Sequence, residues 1–210
     1  MSLNGPGSPS LDMQQNLYTP VAEIVKAGFL ERPNRFVVLC RHKSLGRIKA
    51  FLPNPGRLWE LLFPGATLYL TRNKPKALGE SQPPATEYTA VAVERDGEPV
   101  FLHTHWTNRA ARWLLENRRI PGLERAELVG SAVKHGRSRF DFRMRQGRRE
   151  FFLEVKSCTL FGNRVAMFPD AVTDRGRRHL VELAELGASG TRPCVLLLVQ
   201  TQNVDYFMPD

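Results

Sequence analysis

A chain of 210 residues with 42% hydrophobic and 24% charged content has room for one large domain or two small ones and is too apolar for wholesale disorder. Its formal net charge of +9 favours an anionic partner: nucleic acid, acidic lipid or acidic protein. No apolar run nears the ~18 residues of a membrane span, no secretory signal pattern stands at the start, and Cys40, Cys158 and Cys194 are too scattered for a disulfide framework or zinc pattern, so a reducing cytoplasm is expected.

Residues 1–20 read as a flexible leader, rich in Gly, Ser and Pro up to Leu11. From 21 to 105 the chain reads as short strands. Stretches 35–40 and 47–52 are β-favouring, Asn54-Pro55-Gly56 is a turn, and 57–63 has room for one or two helical turns. An alternating stretch, 66–72, leads into a loop over 73–85. Stretches 87–94 and 99–104 form a hairpin about Asp96-Gly97. Five short strands and one small helix predict a compact barrel, of which the OB-like barrel is one form.

The pattern changes near Trp106. Apolar residues at Trp106, Ala110, Trp113 and Leu114 predict a helix over 106–119, stopped by Pro121-Gly122. Two strands follow in hairpin order. In 139–145, Phe140, Phe142 and Met144 share one face, and Arg139, Asp141, Arg143 and Arg145 the other. After Gln146-Gly147, Phe151, Leu153 and Val155 face one way, and Phe152, Glu154 and Lys156 the other. A second helix over 173–186 takes Thr173 as its N-cap and Gly187 as its stop. The apolar run 194–199 has the signature of a central parallel strand covered on both faces. Residues 106–210 therefore read as an α/β unit.

The hairpin carries the chemistry. Asp141 sits mid-strand, and Glu154 and Lys156 project from one face of the next strand. If that face also carries Asp141, two carboxylates and an ammonium converge. Magnesium takes one or two carboxylates plus waters in octahedral geometry. Asp141 and Glu154 are the candidate ligands, with the Val155 carbonyl as a third oxygen and Lys156 acting on water or on phosphate charge. An ordinary solvated strand face accounts for the same spacing, since Glu-x-Lys is a weak motif. Lys134, Arg137, Arg139, Arg143, Arg145, Arg148 and Arg149 crowd the hairpin as phosphate neutralisation requires. His179, beside Arg177 and Arg178, reads as a surface or capping residue. Asn54, Gly56 and Arg57 suit either an anion-binding turn or a purely structural one. Trp59, Trp106 and Trp113 read as core rather than base-stacking platforms, as do Phe36 and Tyr69 by default.

Several blocks stand in one order: Arg32-Pro33-Asn34-Arg35-Phe36, Pro53-Asn54-Pro55-Gly56-Arg57, Trp106-Thr107-Asn108-Arg109, Ser138-Arg139-Phe140-Asp141-Phe142, Leu153-Glu154-Val155-Lys156-Ser157, and Phe168-Pro169-Asp170 running through Thr173-Asp174-Arg175-Gly176-Arg177-Arg178-His179. Together they resemble the sugar fermentation stimulation protein family, SfsA, over about residues 27–200. The resemblance implies an N-terminal OB-like barrel (21–105) and a C-terminal nuclease-like α/β domain of the PD-(D/E)xK, restriction-endonuclease-like kind (106–210). It also implies a bacterial or archaeal source, sequence-independent DNA binding and a regulatory role in sugar, notably maltose, metabolism. By motif match Asp141, Glu154 and Lys156 take the catalytic core positions, Asp170 and His179 are candidates just outside them, and Mg²⁺ or Mn²⁺ is the expected ion. Arg57, Arg109, Arg137, Arg139, Arg143, Arg175, Arg177 and Arg178 are the candidate DNA contacts; no membrane partner is expected. Arg177 stands where the family commonly has Gln, and 73–80 and Thr86-Glu87-Tyr88 match the family's basic loop only weakly. A further helix and strand are expected beyond Asp210.

Three functions compete: a DNA-binding protein whose nuclease-like domain retains a metal site, an active Mg²⁺- or Mn²⁺-dependent nuclease, and a transcription regulator. Nothing resembles the helix-turn-helix that the last would use.

Overall fold

The computed structural model describes residues 23–73, 86–170 and 172–209. The expected leader over 1–20 and the loop at 74–85 lie outside them.

Six strands make the first unit: β1 (Ile24–Asn34), β2 (Val37–His42), β3 (Gly46–Phe51), β4 (Thr67–Arg72), β5 (Tyr88–Arg95) and β6 (Glu98–Phe101). Neighbours run β3-β2-β1-β4-β5, and a parallel β3–β5 pairing closes the ring into a five-stranded barrel of OB connectivity, with β6 added to β5. Alternation fills its interior: Ala27 and Phe29, Val38 and Cys40, Ile48 and Ala50, and Leu68 and Leu70 are all buried. Each fully buried leucine contributes roughly 1.5–3 kcal/mol. Asp96 and Gly97 take φ of 52° and 79°, the double left-handed turn that suits the twist of a two-residue hairpin. Over 57–63 only one helical turn forms, with the Leu61 and Leu62 amides both donating to the Leu58 carbonyl. Leu58 itself has φ 56°, outside helical space.

The second unit contains α1 (Thr104–Glu116), β7 (Glu127–His135), β8 (Ser138–Gln146), β9 (Arg149–Cys158), β10 (Leu160–Phe161), β11 (Val165–Phe168), α2 (Asp174–Ala188), β12 (Cys194–Val199) and β13 (Tyr206–Pro209). Strands β7, β8 and β9 form an antiparallel meander, and β12 joins β9 in parallel, giving the order β12-β9-β8-β7. A small sheet, β10-β11-β13, stands beside it. Helix α1 packs on β9 and β7, and α2 on β8.

Four expectations are corrected. Among the described residues strand β12 is an edge rather than a centre: β9 pairs with it on one side only, and Val195 is 40% exposed. Uniform apolarity therefore marked a strand position without marking its neighbours. Helix α1 buries Thr107, Ala111 and Leu115, one residue round from the predicted stripe, so Trp106, Trp113 and Leu114 are only partly covered. The Phe140 ring packs on Phe152 and His179, whereas Phe142 and Met144 join Ala111 and Leu115 in the core, so the β8 alternation breaks at Asp141. Helix α2 runs past Gly187 to Ala188, and Gly190, at φ 90°, takes the left-handed position beyond its end. Its start matches expectation, since the Thr173 hydroxyl accepts from the Gly176 amide at 3.0 Å. Among the described residues no helix is long and apolar enough to cross a membrane.

Candidate functional site

A cleft of about 820 Å³ opens between the barrel and the α/β sheet, lined by Asp141, Glu154 and Lys156 from one side and by the loop around Arg57 from the other. Asp141 and Glu154 come from β8 and β9, the two central strands of the sheet. The β8–β9 ladder runs from Gln146↔Arg149 to Phe142↔Leu153 and stops one residue short of Asp141. There the Asp141 side chain replaces the missing carbonyl: its Oδ2 accepts from the Val155 amide at 2.8 Å. Its Oδ1 accepts from Asn108 Nδ2 of α1 at 2.7 Å. Asp141 and Glu154 are the next facing positions beyond the end of this ladder, and both line the cleft.

Glu154 is 3% exposed. Its Oε1 accepts from Lys156 Nζ at 2.5 Å and lies 2.8 Å from His179 Nδ1. A carboxylate only accepts, so Nδ1 carries the imidazole proton. Its Oε2 is buried with no hydrogen-bond partner among the described residues. Burial pushes the Asp141 carboxyl above its ordinary range and the Glu154 charge pushes it further, against the Val155 amide, Asn108 and Lys156. A half-buried Asp141 carboxyl thus stands beside a buried Glu154 that keeps one oxygen without a donor among the described residues. Among the described residues no three of His, Cys, Asp and Glu gather as a metal cluster. Two carboxylates completed by a backbone carbonyl and waters still suit a hard, hydrated ion such as Mg²⁺.

His179 is 5% exposed, a buried partner of Glu154 rather than the surface or capping residue expected. Asp170 belongs to the opposite wall. The turn at 54–58 packs against the chain's own Asp170, whose Oδ2 is buried with no hydrogen-bond partner among the described residues. Burial raises the Asp170 carboxyl, while the Arg57 and Leu58 amides, Arg32 and Arg57 draw it back down. Arg32 braces the turn, its Nη1 donating to the Gly56 and Arg57 carbonyls and its Nη2 to those of Asn54 and Arg35. A Cβ on Gly56 would stand 2.0 Å from Asp170 Oδ2. Gly56→Ala is therefore expected to cost about 1–2 kcal/mol in thermal melts, and most of that loss disappears in an Asp170→Ala background. An equal cost in both backgrounds would assign it to the turn alone.

Of the candidate DNA-binding arginines, Arg57 and Arg175 line the cleft. Arg109 lines a groove on the other side of α1, and Arg137 and Arg178 lie beside Glu182 and Glu185. The Arg143 side chain reaches Glu150 at 3.8 Å, and neither Arg139 nor Arg177 reaches the cleft wall. Alternation had placed Arg139 and Arg143 on the Asp141 face, but neither lines the cleft. Asn108, Arg32 and Arg35 were not singled out from sequence. Asn108 sits on the flank of a helix whose orientation only the packing reveals, and Arg32 acts on carbonyls more than 20 residues away.

This architecture has relatives. Residues 30–102 match the family model described as the SfsA N-terminal OB domain, and residues 105–210 match the sugar fermentation stimulation protein RE domain. The chain belongs to the sugar fermentation stimulation protein family. The family's homolog from Clostridium kluyveri is 35% identical over 187 residues, covering 89% of this chain and 78% of that one. The homolog from Chloroflexus aurantiacus is 37% identical over 190 residues, covering 90% and 70%. A solved structure of the family, Pyrococcus furiosus SfsA in complex with Ca²⁺, aligns with a TM-score of 0.77 at 32% identity, covering 90% of this chain and 78% of that one. The OB barrel followed by a mixed sheet with helices is thus the family's fold.

Proposed function

We propose that this SfsA-family chain binds DNA in the interdomain cleft with little sequence preference and holds Mg²⁺ or Mn²⁺ between Asp141 and Glu154. One observation carries the reading: the buried Glu154 Oε2 has no donor among the described residues and stands beside an Asp141 carboxyl that burial, and then Glu154, destabilise. The family relative solved with Ca²⁺ supports a hard, oxygen-seeking ion. The Val155 carbonyl is the third protein oxygen of the proposed set. Arg57 and Arg175 supply positive charge along the cleft, which suits contacts to the phosphate backbone. The role in sugar metabolism implied by the family name would run through that binding.

Lys156 favours a second reading, that of an active nuclease. A bound divalent ion would supply Lewis acidity to a phosphodiester oxygen and a more acidic water. This chain's own part is to hold the phosphate with Arg57 and Arg175 and to aim Lys156 at the reacting water or the developing charge. Binding of a labelled oligonucleotide is expected to weaken at least about tenfold between 50 and 200 mM salt. Plasmid nicking in Mg²⁺ or Mn²⁺ that stops in EDTA and in Glu154→Ala establishes the nuclease. Salt-sensitive binding without nicking leaves a DNA-binding protein with a retained metal site. Salt-insensitive or absent binding refutes both.

A further inference from the structure

Trp59, which reads from sequence as core, is 76% exposed and lines the same cleft as Asp141 and Glu154. The Arg57 guanidinium lies over its ring at 5.3 Å. Its backbone is fixed: Leu58 and Leu61, on either side, are buried in the barrel core, and Arg32 grips the turn just before it through three carbonyls. A flat aromatic face is therefore held at the cleft wall by a rigid loop, with a cation against it. Arg35 and Arg175 line the same cleft.

We propose that the cleft takes single-stranded DNA, with one base stacked on Trp59 and the flanking phosphates on Arg57, Arg35 and Arg175. The inference rests on the DNA-binding reading above and adds the form of the strand. Every base has a π-face, so stacking tolerates any sequence. A base already stacked within a duplex is closed to an external ring unless it is extruded. A stacking platform and cations together therefore select an open strand over a duplex of the same charge. Trp59 and the acidic pair line one cleft, so a strand held on the ring shares that cleft with Asp141 and Glu154.

The experiment is fluorescence anisotropy of the full chain in EDTA, where cleavage does not intrude. The probes are a labelled 20-mer, its duplex, and the same strand carrying abasic sites. Wild type is expected to bind the strand about tenfold or more tighter than the duplex. Trp59→Ala loses about tenfold on the strand, as the loss of one base–aromatic stack produces, and under twofold on the duplex. Trp59→Phe recovers most of the affinity, and the abasic strand does not register the substitution. Melting curves of the variants, altered at an exposed ring, match wild type. Equal affinity of wild type for strand and duplex, equal losses on both, or a Trp59 effect that survives on the abasic strand overturns the single-strand assignment and leaves DNA binding standing. Failure of wild type to bind either form removes both readings.

Discussion

Asp141→Asn will raise the melting temperature of the metal-free protein and erase the stabilisation that Mn²⁺ gives to wild type. In the folded chain the Asp141 carboxyl is pushed up, first by burial and then by the Glu154 charge. Unfolded, it titrates near the ordinary value of about 3.9. Between those two points the folded state binds more protons than the unfolded one, so stability falls as pH rises through that window and stays lowered at neutral pH. Asparagine carries no charge, keeps an oxygen for the Val155 amide, and meets Asn108 once that amide turns over. In EDTA at pH 7 the variant is expected to melt about 2–4 °C above wild type, with the gap closing below about pH 4. Mn²⁺ at about a hundred times its dissociation constant stabilises wild type by about 2.7 kcal/mol, or about 5–10 °C, and moves the variant by less than about 1 °C. Scanning fluorimetry from pH 4 to 8, with and without the ion, reads both signs. A variant that melts below wild type in EDTA shows that the hydrogen bonds outweigh the charge and that the site is not primed for a cation. Equal Mn²⁺ shifts in both proteins place the ion elsewhere.

The acidic pair and its lysine were legible because strand alternation is local and the turn between β8 and β9 sets their register within a few residues. The closed barrel was legible in the same way, from short alternating runs and turn residues such as Asp96-Gly97. What escaped depends on neighbours distant in sequence. The apolar run in β12 is the same whether one strand or two flank it. The inward face of α1 is set by the sheet it meets, so a stripe of two tryptophans was displaced by Thr107, Ala111 and Leu115. Trp59 read as core because tryptophan usually is, yet its ring stands exposed between buried Leu58 and Leu61. The break at Asp141 had no sequence signal either. Arg139 and Arg143 fall outside the cleft, and Asn108 reaches Asp141 from one helix away.

His179 joins these levels, because the same ring supports the fold and orients the site. Its Nδ1 holds Glu154 Oε1, and its ring lies edge-on to buried Phe140 with centroids 6.1 Å apart. His179→Ala leaves a cavity under Phe140 and takes one of two donors from a buried carboxylate. Truncation and the lost hydrogen bond together are expected to cost about 3 kcal/mol, a fall of about 6–12 °C in melting temperature. His179→Gln can still donate to Glu154 from Nε2 and should recover part of that loss. If His179 also aims Glu154, the alanine variant binds Mn²⁺ more weakly at temperatures where it remains folded, and the glutamine variant lies between it and wild type. Calorimetric titration of the three proteins separates the roles. Unchanged affinity in a destabilised alanine variant makes the histidine a packing residue alone. An alanine variant that melts within about 2 °C of wild type removes it from both the core and the site, and Lys156 would then be the group that holds Glu154 in place.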